Sequence, residues 1–402
     1  MGRKKLITTA EESLSQLGDK NSLSDILVQD LNKKIGDKAY ILGEQETPTD
    51  ITRLISTGST VLDTILTNGK WGEKSGLPVR RLCTVAGNTS SGKSLLANTV
   101  LVNTQKAGGI PILFDEENST DISLLVRMGL LVGKEAEKAK VHKLVYLSTG
   151  SVEAVFDAIE STIKKIREVG NKDFITIVWD SIAATPSKEE VEGSFESEGY
   201  GMGKAKAMSK AMRKITQFIG HEDVLLLFTN QLRTNIGASW GDKTIEPAST
   251  ASNFHSSIKI RLTKISDIKR GDAVIGGTFQ AQVRKNKIAP PARKCKFDIY
   301  FDRGIDDESS WFDNLVEKEI IGRPTKIRYS LEFPENLGGL VEFKSSEWKS
   351  IISDLKKREW VKQEVIKANI IDYSNLTPSL LMIDESESEE KTSVVSEEEI
   401  DT

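Results

Sequence analysis

Leu82-Cys83-Thr84-Val85-Ala86-Gly87-Asn88-Thr89-Ser90-Ser91-Gly92-Lys93-Ser94-Leu95-Leu96 decides the fold. An apolar run stops at a glycine, a polar loop follows, and a lysine and a serine open an amphipathic stretch. Strand, loop and helix in that order are the context that makes a G-x-x-x-x-G-K-S pattern a phosphate site rather than a chance loop. The glycines let backbone N–H groups converge on phosphate oxygens, and the start of the helix adds a favourable dipole. Lys93 is expected at the β- and γ-phosphates of ATP and Ser94 on Mg²⁺. Gly87, Asn88, Thr89, Ser90, Ser91, Gly92 and Leu95 complete the cradle.

Outward from this loop, residues 111–114, 174–179 and 224–228 are further apolar runs, separated by amphipathic stretches. Near-continuous apolar strands alternating with helices predict a parallel sheet covered on both faces. Residues 258–262 and 278–283 alternate instead, and read as antiparallel strands with one wetter face. The fold class is therefore α/β: a P-loop ATPase core with a mainly parallel twisted sheet. A small helical N-terminal region precedes it (1–45), where Leu14, Leu17, Leu23, Ile26, Leu27 and Leu31 recur at roughly helical spacing. Residues 45–50 read as a linker, and the core spans 46–302. A small mixed α+β C-terminal domain (303–372) ends in a helical stretch holding Trp348 and Trp360. Residues 373–402 are too polar and acidic to pack.

Composition narrows the function. With 38% hydrophobic and 28% charged residues, the 402-residue chain has the make-up of a soluble globular protein, and no apolar run approaches a membrane span. The basic start lacks an apolar h-region, so no secretory signal is read there. Two distant cysteines, Cys83 and Cys295, suit a reducing cytoplasm better than a disulfide framework. Three histidines, none at ligand spacing, give no zinc pattern. The net charge of −4 hides an asymmetry: residues 384–402 carry nine acids against one base, Lys391, leaving a body of +4. A basic body with an acidic tail suits a nucleic-acid binder that moderates its own affinity; a mere solubility tail is the bland alternative.

The metal needs an acidic partner. Asp180 ends the apolar run 175–179, at the carboxyl end of a buried strand, where open α/β sheets bind ligands. It is the candidate Mg²⁺-side carboxylate; a strand-terminal cap is the plainer reading. Hydrolysis also needs a group that activates water. Asp115-Glu116-Glu117 ends the strand after the P-loop helix, and periodicity alone does not choose between Glu116 and Glu117. Lys285 and Lys287 sit two apart in a strand pattern, so both ammoniums face one side while Asn286 faces away. Two like charges side by side want an anion between them, unless they only guard an edge strand.

Several motifs in one order resemble those of the RecA family of recombinases. They are Ile55-Ser56-Thr57-Gly58-Ser59 with Leu62-Asp63, the loop ending Ser90-Ser91-Gly92-Lys93-Ser94, Trp179-Asp180-Ser181-Ile182-Ala183-Ala184, Ala211-Met212-Arg213-Lys214, Asn230-Gln231-Leu232-Arg233 and Lys285-Asn286-Lys287-Ile288-Ala289-Pro290. The resemblance covers roughly residues 35–370 and is strongest over 55–300. It implies a RecA-like core, a catalytic Glu117, and Gln231 as the γ-phosphate switch. It also implies an interface aromatic at Phe254, with Lys285 and Lys287 reaching the ATP of a neighbouring protomer. The divergence suggests a phage-encoded version.

Two loops read as DNA contacts. The first, about 192–203, is glycine-rich and ends in Met202 and Gly203. The stretch after it carries Lys204, Lys206, Ser209, Lys210, Arg213 and Lys214, of which Arg213 matches a DNA-facing arginine of the family. The second, about 231–254, holds Arg233, Asn235, Ile236, Gly237 and Trp240. Its length inside a compact domain points to function. Ile236 matches a residue that wedges between base triplets, and Trp240 offers a stacking face or, the favoured reading, a loop anchor. This chain departs from the family pattern at Ala248 and Ser249 (a glycine pair), at Asn235 and Asn253 (basic positions), and at Leu124 (a stacking tyrosine). Base recognition then leans on apolar packing and Asp121.

The expectation is an ATP- and Mg²⁺-dependent homologous recombination protein. It would form a helical filament on single-stranded DNA and exchange strands with a homologous duplex. It would be a DNA-dependent ATPase of the cytoplasm of a bacterial or phage-infected cell, served by single-strand-binding or loader proteins. Residues 1–35 would dock on the next protomer. A hexameric RecA-fold DNA motor or helicase, and a regulatory ATP-binding assembly protein, are the competing readings.

Overall fold

A computed structural model of the protein describes residues 20–36, 39–44, 46–193, 200–234, 244–245 and 254–372. A nine-stranded sheet organises it. Its strands are β3 (Arg81–Gly87), β4 (Ile110–Asp115), β5 (Val145–Leu147), β6 (Ile175–Asp180) and β7 (Val224–Gln231), then β10 (Ile258–Arg270), β11 (Ala273–Asn286), β12 (Lys294–Tyr300) and β13 (Gly304–Asp306). They lie in the order β13-β12-β11-β10-β3-β7-β6-β4-β5. Three short pairs of the described residues lie outside the sheet: β1 (Leu54–Ile55) with β2 (Leu77–Pro78), β8 (Arg233–Thr234) with β9 (Thr244–Ile245), and a C-terminal hairpin described below.

The apolar runs read as parallel strands are parallel: β3 with β7, β7 with β6, β6 with β4 and β4 with β5. The expectation of antiparallel strands beyond them holds for β11, which runs antiparallel to β10 and to β12, but only half for β10. That strand runs antiparallel to β11 and parallel to β3, so it is the seam between the two halves of the sheet. Alternating burial reports which face is wet, not which way a neighbour runs.

Both faces are covered, as near-continuous apolar strands require. On one side lie α2 (Thr60–Thr67) and α3 (Lys93–Lys106), packed with Val85, Val178 and Leu227. On the other lie α6 (Val152–Glu168) and α8 (Tyr200–Gly220), with Ile177, Trp179, Leu226 and Phe228. Trp179 meets Phe156 at 5.3 Å and Phe228 at 5.1 Å, both edge-on, and its indole donates to Thr185 Oγ1. Between α3 and α6 run α4 (Ile122–Arg127) and α5 (Gly133–Ala139); α7 (Lys188–Glu192) precedes α8.

The sheet continues past residue 302: β13 is its last strand. After it come α9 (Asp307–Glu317), the hairpin β14 (Tyr329–Glu332) and β15 (Leu340–Phe343), α10 (Trp348–Ile351) and α11 (Leu355–Ala368). Their Phe343, Trp348 and Val361 join the core on the α2 side. Trp348 and Trp360 do fall in the closing helices. Ahead of the core, α1 (Lys20–Ile35) is an isolated helix with Leu23, Ile26, Leu27, Leu31 and Ile35 all exposed. Leu14, Leu17 and the acidic stretch 373–402 lie outside the described residues. Cys83 and Cys295 are buried free thiols, and burial pushes Cys83 up to about 12. Among the described residues no helix is long and apolar enough to cross a membrane.

Two carboxylates, Asp63 buried and Asp307 half-buried, lie where α2 meets α9. Asp63 accepts from Ser56 Oγ, Thr57 N and Thr57 Oγ1; Asp307 accepts from Thr60 N and Thr60 Oγ1. Burial nonetheless pushes Asp63 up to about 7 and Asp307 up to about 6. A folded state that holds its proton more tightly than the unfolded chain is most stable below the ordinary carboxylate range. It loses that stability as pH rises through the folded value. Asp307→Asn keeps both contacts, since the Thr60 hydroxyl can turn to accept. Its stability relative to the wild type should rise by about 1–2 kcal/mol between pH 4.5 and 7.5, read by urea unfolding. A difference independent of pH would contradict the burial argument.

Candidate nucleotide site

The loop between β3 and α3 is shaped by what a side chain would hit. A Cβ on Gly87 would lie 2.2 Å from Ser91 Oγ and 2.6 Å from the Leu262 carbonyl on the neighbouring strand. Gly92, the residue before α3, sits at φ +83°, a conformation open to glycine at no steric cost. Asn88, Thr89 and Ser90 are exposed, Ser91 is buried, and Leu95 packs on the core behind the loop. The Ser91 hydroxyl is buried without a hydrogen-bond partner among the described residues. Lys93 is buried and folds back to donate to the Asn88 carbonyl at 2.8 Å. Burial holds its ammonium below the usual lysine range, opposed by the nearby carboxylates of Asp180 and Glu117.

Those carboxylates arrive from two other strand ends. Asp180, last in β6, is buried, and desolvation raises it; hydrogen bonds from Ser94 and Thr229 work the other way. The Thr229 hydroxyl donates to it directly. A desolvated carboxylate beside a serine hydroxyl at the start of α3 is a hard-oxygen donor set that suits Mg²⁺. The loop, with its absent Cβ atoms and its unpartnered Ser91 hydroxyl, suits phosphate oxygens.

The choice between Glu116 and Glu117 rests on their partners. Glu116 turns toward the segment after β5, where its carboxylate accepts from Thr149 N, Thr149 Oγ1 and Gly150 N at 2.8–2.9 Å. Glu117 turns the other way. Its Oε1 accepts from Ser181 Oγ at 2.5 Å and from Gln231 Nε2 at 3.1 Å. Gln231 is the last residue of β7, so its amide meets the carboxylate at the strand end, and β8 begins two residues later. Ser181 and Thr229 were not among the residues singled out from the sequence. Their signal was faint: a serine directly after the strand-terminal aspartate, and a threonine inside an apolar strand. Asp121 is exposed and caps α4, accepting from Ser123 N at 2.8 Å.

The paired lysines lie elsewhere. Lys285 is opposite Lys259, and Lys259 is opposite Thr84. Lys285 is thus two strands to the side of β3 and about 10 Å short of Gly87 along the strand direction. Its ammonium donates to the Phe254 carbonyl at 3.0 Å. Burial holds it below the usual range, and Lys287 and Lys259 push the same way. Asn286 points away, donating to the Leu66 carbonyl. Phe254 is 74% exposed, too much for a core aromatic.

On the expected DNA side, residues 200–203 already form the first turn of α8, so the first loop is shorter than its sequence suggested. Lys204 is half-buried and donates to the Ala183 carbonyl at 3.3 Å. Burial lowers it. Lys206 and Lys210 are exposed and line a groove against α6; Lys214 pairs with Glu160 at 2.5 Å. Arg213 is exposed, its guanidinium donating to the Ser209 carbonyl. Gly203 abuts Glu189. The side chain of Met202 and residues Asn235, Ile236, Gly237 and Trp240 lie outside the described residues; Arg233 is exposed and opposite Ile245 in the β8–β9 pair.

This geometry separates two neighbouring glutamates. Glu117→Gln is expected to lower nucleoside triphosphate hydrolysis by about 10²–10⁴-fold with binding retained. Glu116→Gln should change turnover only a few-fold. Single-turnover rates and nucleotide affinities of the two variants check this, and equal losses in both would refute the assignment.

Comparison with known proteins agrees with the geometry. The family model described as the RecA N-terminal domain matches residues 22–306. Protein RecA of Wolinella succinogenes is 32% identical over 307 residues, covering 76% of this chain and 81% of the relative. That of Geobacter sulfurreducens is 32% identical over 300 residues, covering 74% and 82%. That of Bordetella avium is 33% identical over 281 residues, covering 69% and 73%. With a P-loop, a strand-end aspartate and a glutamate bonded to a strand-end glutamine on one sheet edge, this chain belongs to the RecA family and is a diverged RecA-type recombination protein.

Proposed function

We propose that the protein is a DNA-dependent ATPase that assembles head to tail on single-stranded DNA and exchanges strands with a homologous duplex. The observation that carries this reading is the Gln231 amide bonded to the Glu117 carboxylate, two residues before β8. One side chain thereby touches both the hydrolytic group and the start of the segment expected to meet DNA, so a change at one is felt at the other.

Mg-ATP, when bound, supplies the γ-phosphoryl group and neutralises charge at the loop. Gly87, Asn88, Thr89, Ser90, Ser91, Gly92 and Leu95 would cradle the phosphates, and Lys93, now on the Asn88 carbonyl, would turn to the anion. Ser94 and Asp180 would hold the cation. Glu117 takes a proton from water, Ser181 keeps its carboxylate oriented, and Gln231 transmits its state to the following loop. Arg233, with Asn235, Ile236, Gly237 and Trp240, would meet single-stranded DNA. So would Arg213 with Ser209, Lys206, Met202 and Gly203. These contacts track the backbone rather than sequence. Lys204 is a weaker candidate, because it already serves the Ala183 carbonyl.

Lys285 and Lys287 are too far from this chain's own loop to touch its nucleotide. In an assembly they would reach the nucleotide of the next copy beside the exposed Phe254, acting as arginine fingers do. The exposed apolar face of α1 would dock on a neighbouring copy, giving an open assembly.

ATP hydrolysis by wild type and Lys285→Ala, with and without single-stranded DNA across protein concentration, tests this. The rate should rise with DNA and cooperatively with protein, and fall by at least ten-fold in Lys285→Ala. Hydrolysis indifferent to DNA would leave a regulatory ATP-binding assembly protein. Closed rings in micrographs would favour a hexameric motor.

A further inference from the structure

Four permanent cations and a histidine gather where β10, β11 and α8 come together. Lys259 and Lys285 are opposite each other on β10 and β11. Lys287 comes just after β11, its N–H donating to the Ser257 carbonyl at 2.9 Å, and Arg213 comes from α8. His255 stands among them, between the exposed Phe254 and the buried Ser256. The Lys285 ammonium donates to the carbonyl of Phe254, directly before the histidine. His255 and Lys287 both line a groove of about 1280 Å³. The carboxylates of that groove are turned to other partners: Asp50 accepts from Thr47, and Glu160 holds Lys164 and Lys214. Arg80, also on the groove, pairs with Glu46 and Asp223.

The ring's hydrogen bond fixes where its proton sits. The Thr216 hydroxyl has one proton, and donates it to the Met212 carbonyl at 2.7 Å. Toward His255 Nδ1, 3.4 Å away, that oxygen can therefore only accept. Nδ1 carries the N–H of the neutral ring, and Nε2, facing away from Thr216, keeps a bare lone pair. Burial disfavours a second proton, and among the described residues every charge that acts on the ring adds to this: Lys287, Arg213 and Lys285. Another lysine or arginine at this position would add a fixed repulsion to the cluster. A histidine leaves its charge off until an anion compensates the others.

We propose that His255 is the proton-gated member of a phosphate site that it forms with Arg213, Lys285 and Lys287. When phosphate oxygens enter, Nε2 takes a proton from solvent and donates it to one of them as a hydrogen bond. The phosphates are those of the nucleotide held by the next copy of the chain. That identification rests on the cross-copy role assigned above to Lys285 and Lys287; the phosphate site itself does not. The ring is neutral in the isolated copy and charged beside the anion, so assembly takes up a proton. Assembly therefore strengthens as pH falls through the ring's value in the assembly, and levels off below its value in the isolated copy.

A ring titration tests the site. The full-length chain is labelled with carbon-13 in its histidine rings and carries Lys93→Ala, which weakens its own phosphate loop. It is titrated over pH with and without inorganic tripolyphosphate. The His255 signal, identified by its loss in His255→Gln, should have its midpoint raised by about one pH unit, while His142 and His221 stay in place. The rise should shrink at least two-fold in Lys287→Ala. No rise, or an equal rise in all the rings, would overturn the site. A rise with single-stranded DNA but none with tripolyphosphate would give the cluster to the DNA backbone and overturn the nucleotide identification. The proton coupling is read separately, from the protein concentration at which DNA-stimulated ATP hydrolysis reaches half its maximum. Between about pH 6 and about pH 8 this concentration should climb at least three-fold more in the wild type than in His255→Gln. Parallel curves would refute the coupling. Absence of DNA-stimulated hydrolysis in every form would refute the recombinase reading and with it the cross-copy identification, while the ring titration still judges the phosphate site.

Discussion

Four parallel strands end within two residues of one another, β6 and β4 short of β3 and β7, and the site depends on that fixed offset. Gly87 of β3 is opposite Gln231 of β7, Trp179 of β6 is opposite Phe228 of β7, and Asp180 of β6 is opposite Asp115 of β4. A one-residue slip in any pair would send alternate side chains to the other face of the sheet, exchanging the Val178 side for the Trp179 side. The two apolar layers hold that register fixed. The polar groups past the strand ends therefore meet without a dedicated scaffold: Glu117 finds Ser181 and Gln231 from adjacent strands.

Much of this could be read from residues alone, for identifiable reasons. The phosphate loop was legible because its strand, glycines and helix are contiguous. Asp180 was legible because a carboxylate after five buried residues has few other uses. Glu116 and Glu117 were not separable, since the strand period stops at Asp115. What divides them is the N–H groups of Thr149 and Gly150, supplied by a turn after a different strand. The family resemblance favoured Glu117, and it is Glu117 rather than Glu116 that bonds Ser181 and Gln231.

Charge was harder to read than hydrophobicity. Lys204, Lys206, Lys210 and Lys214 look alike in sequence as a basic helix. In the structure one is half-buried on a carbonyl, one is paired with Glu160, and two border a groove. A lysine's long stem lets it serve packing, pairing or solvent from nearly the same backbone position. The reading of β10 failed halfway for a related reason: side-chain alternation carries no information about the direction of a partner strand.

The strand order also fixes when the phosphate loop can become solid. β3 lies between β7 and β10, and both come later in the chain than β4, β5 and β6. During synthesis β4, β5 and β6 can pair with one another while β3 still has two bare edges. At roughly 5–20 residues per second, it waits on the order of ten seconds for a first neighbour and longer for the second. The strand carrying the phosphate loop is thus the first of the sheet to be made, yet it gains its two neighbours only after β7 and then β10 have emerged. A nascent chain of this protein therefore presents a long-lived sticky edge, and its yield in a cell depends on what shields that edge until β10 emerges.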